Sequence, residues 1–245
     1  MAKKAFKTWK DTSVQQRVRI MADYARLVKE NTNEIANLIV AEHGKTFADA
    51  KGDLFRGYEV VEHCQSFTSL MLGESLENVA TGVDIYSYRH PLGVCAGVAP
   101  FNFPAMIPLW MYTTGITCGN TYIMKPSEKV ANTSIKLIEL LEKAGVPKGV
   151  VNLVHGGSDT VTHICQHPDI KAISFVGGNR AGEYIWREGS KHGKRVQANL
   201  GAKNHAVILP DADKNDALNA VLGATFGSCG QRCMALSVVV LVGEA

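Results

Sequence analysis

From residue 93 onward, short apolar runs alternate with amphipathic stretches, and this rhythm constrains the fold more than any other feature of the chain. Residues 93–99, 121–124, 150–154, 170–175 and 206–209 read as strands. They are mostly apolar, and residues 93–99 wholly so, rather than polar at every second residue, as expected of strands covered on both faces. Residues 131–144, 178–188 and 213–225 read as helices, with a short helix between the third and fourth strands and a brief extended segment at 195–198. Strands separated by helices imply parallel pairing through crossovers. The expected class is α/β, with a doubly wound, Rossmann-like parallel sheet.

The residues before 93 read as helical. Ser13 and Gln16 form a capping box, and Val14, Val18, Met21, Ala25 and Val28 follow at helical spacing. A second helix is expected over 33–43, stopped by Gly44, and a third over 46–72. Residues 84–90 alternate like an exposed strand. At the other end, residues 237–242 read as a fully buried strand, which needs cover on both faces. Three residues follow it, so the expectation is a chain that stops inside a domain.

Composition excludes several classes. With 46% hydrophobic and 20% charged residues, the 245-residue chain is a globular protein rather than a disordered one. A net charge of +3, with dispersed basic residues, calls for neither nucleic acid nor an anionic membrane as partner. The six cysteines (64, 95, 118, 165, 229 and 233) include no CxxC pair and read as free thiols of a reducing compartment. The first residues lack the apolar core of a secretory signal and the Arg/Ser bias of a mitochondrial transit peptide. Residues 91–124 hold no Asp, Glu, Lys or Arg, yet Pro91, Pro100, Pro104 and Pro108 break any spanning helix there. That stretch reads as a buried strand, loop and helix.

Four motifs bear on chemistry. Phe175, Gly177, Gly178 and Gly182 lie where a strand ends and a helix opens, a place suited to a phosphate, although the spacing is not GxGxxG and a plain tight turn reads equally well. Lys125-Pro126-Ser127-Glu128 follows a parallel strand, where a lysine and a glutamate can hold a ribose; a solvated turn with Ser127 as helix cap is the alternative. In Pro100-Phe101-Asn102-Phe103-Pro104 an amide is locked between aromatic rings and prolines, which suits an oxyanion hole or a satisfied buried turn. Finally, Gly230-Gln231-Arg232-Cys233 places a thiol beside a cation, as a nucleophile requires, though a single cysteine is commonly inert.

Together and in this order, the four motifs resemble the aldehyde dehydrogenase superfamily over the whole length of the chain. The family's general-base glutamate is replaced here by the amide of Asn199, in Asn199-Leu200-Gly201-Ala202-Lys203. An amide cannot take a proton at neutral pH. That pattern, with Tyr86-Ser87-Tyr88-Arg89 and Cys233-Met234-Ala235-Leu236, resembles the methylmalonate-semialdehyde dehydrogenase branch, which passes its acyl group to coenzyme A.

The resemblance implies the following roles. Cys233 is the nucleophile, and the Asn102 amide holds the oxyanion. Arg232, and more weakly Arg56, clamp the substrate carboxylate. NAD is the cofactor, bound by Ala99, Phe101, Lys125, Glu128, Phe175, Gly177 and Gly178. Glu128 disfavours the 2′-phosphate of NADP. CoA is the co-substrate, and the products are propionyl-CoA or, from malonate semialdehyde, acetyl-CoA with loss of CO2. Residues 1–201 correspond to the NAD-binding domain and 202–245 to the start of a catalytic domain, about half of a full-length relative. The family further implies a homotetramer, in the mitochondrial matrix in eukaryotes and the cytoplasm elsewhere. Two alternatives stand beside this: an inactive fragment that binds NAD or interferes with assembly, and a hydrolytic NAD-dependent enzyme.

Overall fold

The computed structural model describes residues 1–245. The N-terminal third is helical: α1 (Ala2–Trp9), α2 (Val14–Glu30), α3 (Thr32–His43), α4 (Phe47–His63) and α5 (Phe67–Leu70). The Ser13 hydroxyl accepts from the Gln16 N–H and caps α2, as the capping box predicts. Gly44 ends α3 at φ 84°, a left-handed backbone that suits glycine. The expected third helix is broken. Residues 64–66 form a 3-10 turn in which the Ser66 hydroxyl takes the His63 carbonyl, competing with the helical ladder.

Strands β1 (Ser75–Ala80) and β2 (Val83–Tyr86) form an exposed antiparallel hairpin. The strand expected over 84–90 therefore ends at Tyr86. Its partner β1 escaped notice because Ser75–Ala80 mixes polar and apolar residues with no period.

The doubly wound sheet is built from β3 (Val94–Val98), β4 (Thr121–Lys125), β5 (Val151–Leu153), β6 (Ile170–Val176) and β7 (Arg195–Asn199), all parallel in the order β5-β4-β3-β6-β7. The crossovers are α6 (Met106–Thr117), α7 (Ala131–Lys143), α8 (Ser158–Gln166) and α9 (Asn179–Lys191). Alternate residues of β3 serve two cores. Val94, Ala96 and Val98 pack with Ile164, Ile173 and Ile185 on one face. Cys95 joins Met21, Leu54, Leu109, Met124 and Leu137 on the other. All five residues of β3 are buried, which is why the strand is apolar without alternation.

The last elements are β8 (Asn204–Ile208), α10 (Lys214–Phe226) and β9 (Leu236–Leu241). β8 and β9 pair in parallel, apart from the main sheet. The expectation of a fully buried C-terminal strand is corrected here: Val240 is 42% and Leu241 58% exposed. Within these residues β9 pairs with β8 alone, and α10 buries none of its own side chains. No helix is long and apolar enough to cross a membrane.

Candidate active site

The winding of the sheet reverses between β3 and β6, and in such sheets ligands bind beyond the carboxyl ends of the strands at that point. The register brings Val98, Lys125 and Phe175 side by side there. They line a cavity of about 770 Å³ together with Glu128, Gly178 and Arg180. Lys125 is buried and donates to a Glu128 carboxylate oxygen at 3.2 Å and to the Pro126 carbonyl at 3.0 Å. The Glu128 carboxylate is held below its ordinary range, first by its own backbone N–H and then by the Lys125 ammonium.

Helix α9 opens onto this cavity with Gly178 as its N-cap and no side chain capping it. The first N–H groups of such a helix are free to meet an anion. A Cβ at Gly178 meets nothing within 4 Å, so the space above the helix start is open. At Gly182 a Cβ falls 1.9 Å from a Leu200 side-chain carbon and 2.9 Å from the Phe175 ring. That glycine serves close packing of helix on strand rather than ligand approach. Ser127 caps no helix: its hydroxyl accepts from the Lys129 N–H, ahead of α7. The first turn of α7 is instead capped by Glu42 of α3, whose carboxylate accepts from the Asn132 and Thr133 N–H groups. These features fit a dinucleotide: a phosphate at a bare helix start, and a carboxylate fixed by a buried lysine for ribose hydroxyls.

A second cavity, of about 1060 Å³, holds the exposed thiol-bearing Cys233. Asn199, Arg232, Arg56, Trp110 and Phe103 share its lining. The Asn102 side-chain amide reaches across from the loop after β3 and donates to the Gln231 carbonyl at 2.9 Å, two residues before the thiol. An amide nitrogen carries two hydrogens, so one stays free for a further acceptor. Asn204 fixes the other side of the loop, donating to the Cys233 carbonyl at 2.8 Å and the Ala235 carbonyl at 3.0 Å. Ser228 and Cys229 stand at φ 53° and 54°, so the loop turns through a left-handed backbone that side chains disfavour.

Neither predicted arginine is unpartnered. Arg232 meets Asp49 at 2.5 Å, both partly buried. Arg56 pairs with Glu59 at 3.1 Å on the open side of the cavity. Phe101 stacks on His43, with ring centroids 6.1 Å apart, and Lys129 lies 4.9 Å over the same ring. The Ala99 N–H donates to the Lys125 carbonyl at 3.0 Å, and the Gly177 N–H to the Asn199 carbonyl at 3.1 Å. The second bond ties the turn between β6 and α9 to the segment that lines the thiol cavity.

Sequence reasoning missed Lys45, Asp49 and Asp53, which line the same cavity. Asp53 left one trace: it lies between Ala50 and Gly57 on the face of α4 that also carries Leu54 and Val61, so a carboxylate occupies an apolar stripe. Asp49 and Lys45 left none, since both sit in an ordinary polar helix start.

Comparison with known proteins bears on the family and the fold. The methylmalonate-semialdehyde/malonate-semialdehyde dehydrogenase (acylating, mitochondrial) of Homo sapiens is 60% identical over 243 residues, 99% of this chain and 45% of that protein. The Arabidopsis thaliana methylmalonate-semialdehyde dehydrogenase (acylating, mitochondrial) is 54% identical over 244 residues, 100% of this chain and 40% of that protein. The chain spans about half the length of the curated relatives it matches. The structure of the Oceanimonas doudoroffii methylmalonate-semialdehyde dehydrogenase superposes with a TM-score of 0.98 at 47% identity, covering 100% of this chain and 50% of that one. A Sinorhizobium meliloti 1021 structure complexed with NAD superposes at 0.97 with 47% identity, covering 99% and 50%. The aldehyde dehydrogenase family profile matches residues 1–245 from end to end, and the chain belongs to that family.

Proposed function

We propose that this chain carries the cofactor cleft and the nucleophile of an NAD-dependent, CoA-acylating dehydrogenase acting on malonate and methylmalonate semialdehydes. One observation carries the acylating part. Asn199 lines the Cys233 cavity, and each carboxylate that lines it faces a cation: Asp49 has Arg232, Asp53 has Lys45, and Glu59 has Arg56. A carboxylate whose oxygens already engage a cation is poorly placed to take a proton from water, because those lone pairs are in use. A CoA thiolate needs no such base, being itself a nucleophile.

Residues 1–201 form the cofactor part of this proposal, and residues 202–245 begin the part that carries the thiol. Lys125 and Glu128 orient the adenine-side ribose, with the bare start of α9 at the pyrophosphate. NAD supplies the hydride acceptor when bound. Cys233 attacks the aldehyde carbon, and the free hydrogen of the Asn102 amide with the Cys233 N–H receives the developing oxyanion. Arg232, steadied by Asp49, and Arg56 receive the substrate carboxylate, since a guanidinium keeps donors to spare after one ion pair. The β-carboxylate leaves as CO2, the electron pair of the broken C–C bond passing into the thioester enolate, which takes a proton from solvent; the CoA thiolate takes the acyl group and releases the Cys233 thiolate.

The test is NADH formation by the full-length protein from malonate semialdehyde, with and without CoA. Sustained turnover is expected only with CoA. Equal rates without it, with malonate as the acid product, would overturn the acyl-transfer reading.

A further inference from the structure

Beneath the Asn102 loop lies a buried ion pair that the proposed chemistry does not use. Lys45 and Asp53 stand 3.2 Å apart with side chains 1% and 0% exposed. Every strong partner of the pair belongs to one short segment. The Lys45 ammonium donates to the Asn102 carbonyl at 2.8 Å and sits 4.6 Å over the Phe103 ring. The other Asp53 oxygen accepts from the Met106 N–H at 2.8 Å, where α6 begins. Residues 102–106 are thus held from below at three points, while the Asn102 side chain extends the other way to the Gln231 carbonyl.

Burying two charges is costly, and an apolar pair of similar volume commonly serves stability as well or better. What an apolar pair cannot supply is a directed bond to the Asn102 carbonyl, which sets where that residue's amide points. We propose that Lys45 and Asp53 are a positioning dyad that aims the Asn102 amide at the Cys233 loop. The inference deepens the reading above and rests on it, since it assigns the dyad its purpose through Asn102 and Cys233.

A chromogenic ester separates positioning from mere support and needs neither cofactor nor CoA. With 4-nitrophenyl acetate, the Cys233 sulfur forms a bond to the ester carbonyl, the oxyanion collapses, 4-nitrophenolate leaves and the thiol proton passes to solvent. Iodoacetamide alkylates the same sulfur by displacing iodide, with no oxyanion to stabilise. Both adducts are followed at Cys233 by peptide mass. In the Lys45→Met/Asp53→Leu double variant, which leaves no lone buried charge, acylation is expected to fall by about tenfold or more, approaching the loss in Asn102→Ala. Alkylation is expected to stay within about twofold of wild type. Lys45→Arg, which keeps a donor for the Asn102 carbonyl, is expected to acylate faster than the double variant.

Wild-type acylation in the double variant, or parallel loss of acylation and alkylation, would overturn the dyad. If the double variant does not fold, Lys45→Arg decides alone: acylation lowered with alkylation preserved counts for the dyad, and both preserved or both lowered together counts against it. If Asn102→Ala itself acylates at the wild-type rate, the oxyanion role of Asn102 fails and the dyad's purpose fails with it. That result is distinct from an unaffected dyad beside an impaired Asn102→Ala.

Discussion

Helix α4 carries two glycines whose replacement by alanine is predicted to shift stability in opposite directions. Gly52 is exposed, and a Cβ there meets nothing within 4 Å. Gly57 is buried where α4 crosses α6: a Cβ meets a Leu109 methyl carbon at 2.6 Å, the Met106 Cα at 3.0 Å and the Leu109 Cβ at 3.1 Å. Gly→Ala inside a helix gains about 1 kcal/mol of intrinsic propensity. At Gly52 nothing opposes that gain, so Gly52→Ala should stabilise by about 1 kcal/mol. At Gly57 one opposing atom is backbone, and the Leu109 side chain is fully buried with no room to swing away. Overpacking of that kind costs up to about 3 kcal/mol, leaving Gly57→Ala about 2 kcal/mol less stable.

For a chain of this size the two changes correspond to a rise of about 2–4 °C for Gly52→Ala and a fall of about 4–8 °C for Gly57→Ala. Thermal unfolding followed by circular dichroism, with urea melts as a check on two-state behaviour, measures both. Equal shifts of the same sign would refute the packing account of the α4–α6 crossing. The crossing matters to the site because Asp53 and Arg56 lie on α4 beside Gly57, and Met106 and Trp110 oppose them on α6.

Two further predictions follow from the thiol cavity and the buried thiols. Asn199→Glu in the full-length protein places an unpaired carboxylate in the Cys233 cavity and should raise CoA-independent acid release by about tenfold or more; an unchanged rate, measured by product chromatography, would sink the missing-base account. Burial, with Cys118 nearby, pushes the Cys95 thiol up to about 11, and burial, with Glu188 nearby, pushes Cys165 up to about 11. At pH 8 roughly one in a thousand of each is thiolate, so iodoacetamide should label the exposed Cys229 and Cys233 first, and labelling of Cys95 and Cys165 should climb about tenfold per pH unit below pH 11. Mass mapping that finds Cys95 or Cys165 modified as fast as Cys233 at pH 8 would contradict it.

The sheet was legible because its strands are covered on both faces, which removes polar residues from runs such as Val94–Val98 and makes them stand out. Helix ends were legible where the cap is local, as at Ser13 and Gly44. Caps supplied from afar were not: Glu42 reaches α7 across 90 positions, and no local pattern announces it. The first strand of the hairpin, Ser75–Ala80, escaped because its outward side chains need no period. Residues 237–242 were read as buried because composition reports what a strand is able to bury, not what lies against it. In the site, each motif was visible singly, but the approach of Asn102 to Gln231 spans 129 residues, so its chemistry was legible only through the resemblance of all four motifs together.

The Glu42 carboxylate does more than complete a helix. By accepting from the first N–H groups of α7, it ties the start of that helix to α3. The Pro126–Val130 turn lies between this junction and the strand that ends at Lys125. It is therefore tethered at one end to the sheet and at the other to the helical layer upstream. Glu128 thus stands on a turn whose far end is anchored by a carboxylate about ninety positions upstream, so the placement of one acidic side chain at the cavity mouth depends on another in the helical layer.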